Sequence, residues 1–476
     1  MTFLANRVER GVYRDSVALM RVARRLAELP GVESAALMIG TPSNRELLRS
    51  ANLLAEGERA AAADVIIAVR AADEAAARAA LDSALEMLEE KSAAAPELIP
   101  RSRSLAGALE VLPGANLALV SVPGEFAALQ ARSALEHGLH ALVFSDNVPI
   151  EDELALKRLA REKGLLLMGP DCGTALIDGT PIAFANAVPR GDVGIVSASG
   201  TGLQEVSCLI ARAGGGVSHG IGVGGRDLDA RIGGLGTLAA IDALDADPRT
   251  AKIVLISKPP SPEAARLVLE RVARSAKPFV VCFLGVRDMK LPPNARLART
   301  LCDAAEMVLQ STIEDSKHEL PKNLQGRFIR GLYCGGTLCA EAEFVFRERG
   351  LPTGNGAHVF TDLGADEYTR GRPHPMIEPE LRTPQLRAAL ADPAVAAVLV
   401  DLVLGFGSHA DPAGVLAKEL RKNAKPVIAS VTGTERDPQG YSRQVALLRE
   451  AGVLVAPSNA HASAYAAKLA SQCSPA

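Results

Sequence analysis

Two glycine-rich segments of this 476-residue chain combine hydroxyl side chains with the predicted start of a helix. Glycine lets the backbone approach a ligand closely, and the free N–H groups and dipole of a helix start attract an anion. The segments therefore predict a phosphoryl or carbamoyl phosphate group held between two opposed helix starts. The residues expected to bind it are Ser197, Ser199, Gly200, Thr201 and Gly202 in the first segment and Gly335, Gly336 and Thr337 in the second.

Other polar side chains follow predicted strands, where open α/β sheets bind ligands. Arg226 and Arg372 can clamp a small carboxylate substrate or a phosphate in bidentate fashion, and Asp227 follows the first of them. His374 stands between two prolines that fix its direction, and it would move a proton near neutral pH. These four are the predicted catalytic residues, with a solvated or packed loop residue as the alternative for each. Further substrate-site candidates are His219, Gly225, His409, Thr434 and Asn459.

Two common kinds of site are not expected. No histidine pair has the ligand spacing of the familiar zinc motifs, so we predict no metal. The nucleotide loop GxxxxGK[ST] is absent. The seven cysteines contain no CxxC pair and read as reduced thiols, several of them in apolar stretches.

An internal repeat organises the second half of the chain. Five landmarks recur in one order, at separations that drift only from 136 to 148 residues. Residues 190–326 and 327–476 are therefore predicted to be two copies of one flavodoxin-like domain. The paired landmarks are the two glycine-rich segments, Glu205 and Glu341, Gly225-Arg226-Asp227 and Gly364-Ala365-Asp366, Asp247-Pro248 and Asp392-Pro393, and Ala276-Lys277-Pro278 and Ala424-Lys425-Pro426.

Apolar strand-like runs alternate with helical patterns almost throughout the chain, which indicates a parallel α/β fold. We expect a small N-terminal α/β domain over residues 1–100 and a Rossmann-like domain over 101–189, followed by the two flavodoxin-like copies. The strands of the Rossmann-like domain are short apolar runs.

The composition bears on partners and location. The 52 basic and 55 acidic residues nearly balance, which argues against a nucleic-acid partner. No window approaches the roughly 20 apolar residues of a membrane helix. The charged N-terminus has no apolar signal core, so the expected location is the cytoplasm.

Two resemblances follow from these motifs. Residues 116–290 resemble the α subunit of succinyl-CoA synthetase, through Met168-Gly169-Pro170-Asp171-Cys172-Gly173, the first glycine-rich segment and Gly222-Val223-Gly224-Gly225-Arg226-Asp227. The second copy resembles the ligase-CoA domain of those enzymes. This resemblance implies a CoA-binding type of Rossmann-like domain, and helix starts that in the synthetases bind a phosphate carried on histidine.

Over its whole length the sequence is identified as a member of the FdrA family. The motifs are Tyr13-Arg14-Asp15-Ser16-Val17, Met38 to Asn44, Leu332 to Cys339, Gly371 to Ile377 and Pro457 to Ala460. Members are implicated, with two companion subunits, as an oxamate carbamoyltransferase of allantoin catabolism. That reaction converts oxalurate and phosphate into oxamate and carbamoyl phosphate. A homo-oligomer is also expected.

The sequence departs from the synthetases in ways that bear on function. Residues 284–299, where the synthetases place their phosphorylated histidine, contain no histidine. Residues 1–115 have no counterpart of the CoA loop, and no stretch is left for a nucleotide domain. Without the histidine, a covalent phosphate relay is excluded, which favours the carbamoyltransferase. An acyl-CoA synthetase subunit that binds CoA and a metabolite-sensing scaffold subunit are the alternatives.

Overall fold

The computed structural model describes residues 2–10, 16–55, 60–61, 64–89, 102, 104–315, 320–321, 324–369, 373–420 and 425–473. The chain forms two compact units. One contains Met1–Arg103 and Asp366–Pro373, and the other contains Ser104–Ala365 and His374–Ala476. Elements are numbered in chain order.

The N-terminal unit is built on an antiparallel sheet of order β1-β3-β2, so the expected parallel pairing is wrong here. The middle strand is buried at every position except the partly buried Arg70 and is otherwise apolar, whereas the half-exposed edge strand β1 mixes polar and apolar residues and gave no strand signal. Apolar side chains pack on both faces of the sheet. Its elements are β1 (Phe3–Glu9), α1 (Ser16–Ala27), β2 (Val32–Ile39), α2 (Pro42–Ser50), β3 (Val65–Ala71), α3 (Glu74–Glu89) and the short α12 (Asp366–Thr369).

The Rossmann-like part of the second unit has three parallel strands in the order β4-β5-β6. One face of this sheet packs on its own helices. Leu117, Leu142 and Met168 on the strands join the core of the following domain. The elements are α4 (Leu105–Val111), β4 (Leu117–Val120), α5 (Gly124–Glu136), β5 (His140–Val143), α6 (Ile150–Glu162) and β6 (Leu167–Met168).

The first flavodoxin-like copy lies in a seven-stranded sheet of order β13-β12-β11-β9-β10-β7-β8. Strands β9 to β13 are parallel. The β7–β8 hairpin, which the sequence reading missed, adds two antiparallel strands at one edge. The elements are β7 (Thr174–Ile177), β8 (Thr180–Ala183), β9 (Val193–Ser197), α7 (Gly200–Arg212), β10 (Val217–Gly222), α8 (Leu235–Ala246), β11 (Lys252–Ser257), α9 (Pro262–Val272), β12 (Phe279–Phe283), β13 (Ala295–Leu297) and α10 (Leu301–Leu309).

The second copy forms a parallel sheet of order β15-β14-β16-β17-β18. Its longest strand, β16, is buried at all nine positions. The elements are β14 (Phe328–Tyr333), α11 (Gly336–Glu348), β15 (Val359–Asp362), a 3-10 helix (Pro379–Arg382), α13 (Thr383–Ala391), β16 (Val395–Val403), α14 (Pro412–Leu420), β17 (Val427–Thr432), α15 (Tyr441–Glu450), β18 (Leu454–Ala456) and α16 (Asn459–Cys473).

The duplication is confirmed by the strand order and by the equivalent contacts of one repeated lysine. In each copy the parallel strands run second, first, third, fourth and fifth, and a helix follows the first strand. The repeated lysines also act alike. Lys277 donates to the Leu244 and Asp247 carbonyls at the end of α8, and Lys425 donates to the Ala389 and Asp392 carbonyls at the end of α13. The domain boundaries at residues 100, 189 and 326 stay predictions.

The two copies share one core. Leu203 and Val206 of α7 belong to the same cluster of buried side chains as Leu338 and Ala342 of α11. Helices α7 and α11 each begin at the carboxyl end of a first strand, so this packing brings the two helix starts to the same place. Within the described part of the chain, no helix has the length and apolar character needed to cross a membrane.

Candidate functional site

The start of α7 is shaped by two serines. Ser199 is its N-cap, and the Ser199 hydroxyl accepts a hydrogen bond from the Gly202 N–H at 2.9 Å. The Ser197 hydroxyl accepts from the Ser199 N–H and donates to the Ser199 carbonyl, which fixes the turn between strand and helix. The N–H groups of Gly200 and Thr201 belong to the first turn and have no acceptor within the helix. This end of α7 can therefore donate to an anion.

The two helix starts meet directly. The Ser199 and Thr337 hydroxyl oxygens lie 2.5 Å apart. A Cβ placed on Gly335 would lie 3.0 Å from Thr201 Cγ2, so glycine permits this close approach. The structure thus brings together the two predicted glycine-rich segments. With the hydroxyls in contact, the predicted anion would have to lie beside this hydrogen bond or replace it.

The start of α11 differs from that of α7, because it already faces a carboxylate of its own domain. Asp401, fully buried at the end of β16, accepts from the Cys334 and Gly335 N–H groups at 2.8 Å each. Arg382 donates to the Asp401 carboxylate at 3.0 Å and to its carbonyl at 2.7 Å. The Gly335 N–H, predicted to bind the anion, is therefore occupied. Neither Asp401 nor Arg382 was recognised from sequence, since neither lies in a motif.

Asp362 adds a second carboxylate at α11. It accepts from the Gly364 N–H at 3.0 Å, and a Cβ on Gly336 would lie 2.4 Å from Asp362 Oδ2. Two carboxylates near one helix start oppose the field of the helix there. An external anion is consequently better placed towards Ser199, Gly200 and Thr201 than towards Gly336.

His374 is not placed to titrate near pH 7. Burial lowers its pKa to about 4. Its Nδ1 accepts from the Met376 N–H at 3.2 Å, so the neutral ring carries its proton on Nε2. That nitrogen packs against Gly364, where a Cβ would approach it to 2.5 Å. The expected proton transfer near neutrality is therefore wrong, since the imidazole stays neutral there.

Arg226 and Asp227 are engaged in holding the Rossmann-like domain to the first copy. Asp227 is fully buried and accepts from Lys157 at 2.5 Å and from the Gly236 and Thr237 N–H groups at the start of α8. Arg226 donates to the Val148 carbonyl and pairs with Glu153, each at 2.8 Å. Both side chains have internal partners, so the expected substrate clamp is not seen.

Two predicted residues remain. Arg372 falls outside the described residues. Gly225 lies against the Gly169–Gly173 loop, where a Cβ on it would be 3.5 Å from Asp171 Oδ2. Gly225 therefore does not contribute to the helix starts.

His219 has a structural environment on β10. Its Nδ1 accepts from the Asp178 N–H at 3.0 Å, and its Nε2 lies 3.5 Å from Asp247 Oδ2. The surrounding Gly216-Val217-Ser218-His219-Gly220 also matches the GxSxG pattern of serine hydrolases. That pattern needs a sharp strand-to-helix turn, whereas Ser218 lies within the strand, buried and bonded to Thr250. No nucleophile is formed.

The other candidates stabilise loops and the junction of the copies. His409 Nδ1 accepts from the Asp411 N–H at 3.0 Å, and the Thr434 hydroxyl donates to the Ala187 carbonyl at 2.7 Å. Asn459 donates to the Glu341 carboxylate at 2.7 Å, and its N–H donates to Glu205 at 3.1 Å. Each of these side chains therefore has an internal hydrogen-bond partner.

Glu205 and Glu341 form a reciprocal arrangement across the copies. Glu205 of α7 accepts from the Asn459 N–H at the start of α16, the last helix of the second copy. Glu341 of α11 accepts from the Leu301 N–H at the start of α10, the last helix of the first copy. Burial raises the pKa of Glu341 to about 8, with the neighbouring Glu205 charge contributing to the rise and the hydrogen bonds from Asn459 and the Leu301 N–H opposing it. The repeat identified both residues, but not this role.

Comparisons with known proteins agree with this architecture. A family model described as CoA-ligase matches residues 332–469, and one described as "AllF, heavy metal-associated domain" matches residues 1–100. YahF of Escherichia coli K12 is 41% identical over 494 residues, covering 95% of this chain and 96% of YahF. The chain belongs to the FdrA family. This FdrA-family protein thus has the succinyl-CoA synthetase-like fold with an AllF-related N-terminal domain.

More distant relatives match only parts of the FdrA-family chain. The mitochondrial succinate–CoA ligase [ADP-forming] subunit alpha-2 of Trichomonas vaginalis is 32% identical over 191 residues, 38% of this chain and 60% of that one. A solved acetyl-coenzyme A synthetase 1 of Ca. Korarchaeum cryptofilum is 18% identical, covering 75% of this chain and 83% of that one with a TM-score of 0.34.

The heavy metal in the family description does not fit the residues present. Heavy and soft metal ions are bound chiefly through thiolate, thioether and imidazole groups. Residues 1–100 contain no cysteine and no histidine, so the only soft ligands there are the thioethers of four methionines. Among the described residues, no three His, Cys, Asp or Glu side chains are grouped to hold a metal ion.

Proposed function

We propose that this chain is the phosphate-binding subunit of a carbamoyltransferase that interconverts oxalurate and phosphate with oxamate and carbamoyl phosphate. The observation that carries the proposal is the meeting of the α7 and α11 starts at Ser199 and Thr337, in a chain without a histidine in residues 284–299. An anion site without a relay residue suits direct transfer better than a phosphoenzyme. The AllF-related N-terminal domain supports an assignment to allantoin catabolism.

In the proposed reaction, phosphate lies at the start of α7. The Gly200 and Thr201 N–H groups and the Ser199, Thr201 and Thr337 hydroxyls donate to it. A phosphate oxygen attacks the ureido carbonyl carbon of oxalurate and forms a C–O bond. The C–N bond to the oxamate nitrogen breaks, and that nitrogen takes the electron pair and a proton from the phosphate monoanion or from water. Catalysis comes from positioning and from charge stabilisation by preorganised donors.

The engagement of Arg226 by Glu153 supports a role for partners. Since Arg226 is directed at Glu153 and the Val148 carbonyl, a group from another chain is the preferred grip for the substrate carboxylate. We propose that two companion subunits supply it in a cytoplasmic complex that also contains further copies of this chain.

The test mixes the protein and its companion subunits with oxalurate and phosphate and follows carbamoyl phosphate. The proposal expects its formation, with loss of activity in Thr337→Val. The alternative is an acyl-CoA synthetase subunit, favoured by the CoA-ligase match over residues 332–469. A parallel reaction therefore offers ATP, CoA and a panel of carboxylic acids. CoA-thioester formation without any carbamoyl phosphate supports the alternative.

A further inference from the structure

A narrow crevice lies beside the start of α11. It is bordered by Cys334, directly after β14, and by Asp401 to Val403 at the end of β16. These neighbouring strands are the first and third of the second copy, and the chain leaves them towards opposite edges of the sheet. Such a switch point is where open α/β sheets bind ligands. Its walls are mostly apolar, including Pro375, Met376, Leu386, Pro412, Val415 and Leu416.

Arg382, one of the lining residues, has an unused donor. Its side chain is only 6% exposed. Two of its nitrogens are bound by Asp401, but Arg382 Nε has no hydrogen-bond partner among the described residues. An unsatisfied buried donor is costly, so a ligand acceptor here would be stabilised.

The charges at the crevice restrict what that acceptor can be. The lining contains one cation, Arg382, and two carboxylates, Asp401 and Glu419. Asp401 pairs with Arg382, and Glu419 pairs with Arg387 through hydrogen bonds of 2.6 and 3.0 Å. Because neither pair leaves a free positive charge, an anion is disfavoured. A cation has no lone pair that could accept a hydrogen bond from Arg382 Nε. Asp401 Oδ2 accepts one hydrogen bond, from the Gly335 N–H, and a carboxylate oxygen can accept another. The crevice therefore suits a neutral group with both an acceptor and a donor.

We infer that the crevice binds the carboxamide or ureido end of the substrate. The carbonyl oxygen accepts from Arg382 Nε, and an amide N–H donates to Asp401 Oδ2. Since Asp401 also holds the Gly335 N–H, the bound group lies next to the start of α11. This inference rests on the proposed function, in which a ureido carbon receives the phosphate oxygen.

The test measures binding of oxamate, and of oxalate as its analogue without the amide, by calorimetry on the full chain and on the complex. Arg382→Lys keeps the charge beside Asp401 but removes Nε. Val415→Phe fills the crevice and leaves Arg382 and Asp401 unsubstituted. Both should weaken oxamate binding at least tenfold and leave oxalate unchanged. Lys418→Ala, exposed on the same helix α14, is the control.

The outcomes separate this inference from the proposed function. Equal oxamate affinity in the wild type and both folded variants overturns the inference, even if the complex makes carbamoyl phosphate. The inference is also overturned if Arg382→Lys weakens oxalate binding as strongly as it weakens oxamate binding. Oxamate binding that depends on Arg382, in a complex that makes no carbamoyl phosphate, supports the inference and contradicts the proposed function.

Discussion

Ser199 and Thr337 share a hydrogen bond of 2.5 Å although 138 residues separate them in the sequence. Each belongs to the helix start of one copy of the duplicated domain, so a single contact joins the two halves of the candidate site. The contact also shows why the copies are not equivalent. The Ser199 hydroxyl caps its own helix, whereas Gly335 at the corresponding place has no side chain and its N–H is bound by Asp401.

Thr337→Val should weaken phosphate binding by about tenfold. The substitution keeps the shape of the side chain and leaves the Ser199 cap intact, but removes one hydroxyl donor to a charged ligand, which is worth about 1.5–3 kcal/mol. Calorimetry of phosphate binding to the complex measures it, and Ser442→Ala at an exposed serine is the control. Unchanged phosphate affinity in Thr337→Val would place the anion elsewhere.

Asp227→Asn should lower the free energy of unfolding of the second unit by about 3–5 kcal/mol. It removes the nearer of the two carboxylate charges beside the buried Lys157, with Glu153 remaining at 3.3 Å, and weakens the bonds to the start of α8. Urea unfolding measures the change. Asp229→Asn, two residues along and exposed to solvent, is the matched control and should change stability by no more than about 0.5 kcal/mol. Equal effects of the two substitutions would show that the buried pair is not the cause.

Glu341 should make the free energy of unfolding fall as the pH rises. Its folded pKa of about 8 lies above the ordinary value of 4.5, so the folded protein holds a proton that the unfolded chain releases between these values. The stabilisation is complete below about pH 4.5 and is lost as pH rises through about 8. The stability difference between wild type and Glu341→Gln should therefore fall with pH, by up to about 1.4 kcal/mol per unit.

Thermal or urea unfolding of both proteins from pH 5 to pH 9 checks this dependence. Glu341→Gln is expected to be less stable at low pH, because its amide donor meets the Leu301 and Asn459 donors. The prediction concerns how the stability difference between the two proteins changes with pH. Parallel stability curves for the two proteins would mean that Glu341 does not change protonation on folding.

The N-terminal domain should bind no heavy metal. With neither cysteine nor histidine in residues 1–100, it has no thiolate or imidazole ligand. Titration of the full chain with zinc and with copper(I) should give no tight site in this domain, and a chelator should leave the activity of the complex unchanged. Stoichiometric metal that is lost on deleting residues 1–100 would contradict this.

The duplication could be predicted because its signals are local. Glycines after a strand, a lysine before a strand and a glutamate one turn into a helix recur in order, and the structure gives each pair the same place. The antiparallel N-terminal sheet was missed, since its edge strand β1 is half exposed and mixes polar and apolar residues. Its pairing depends on β3, more than fifty residues along the chain.

The candidate site was predicted only in part, for a different reason. The helix starts could be found from glycines and hydroxyls. Asp401 and Arg382 stand in a buried strand and a short 3-10 helix without a motif, and only the fold brings them to Gly335. The side chains singled out by their chemistry, such as Asp227 and His374, proved to be held by internal partners, and Asp227 is fully buried.

The central claim is that phosphate bound at the helix starts reacts directly with the substrate, without a phosphorylated residue. The most direct measurement incubates the complete complex with radiolabelled phosphate and oxalurate, then quenches it and separates protein from small molecules. The account predicts label in carbamoyl phosphate and none on this chain. Label covalently attached to a histidine of this chain, formed and consumed at the rate of turnover, would contradict it.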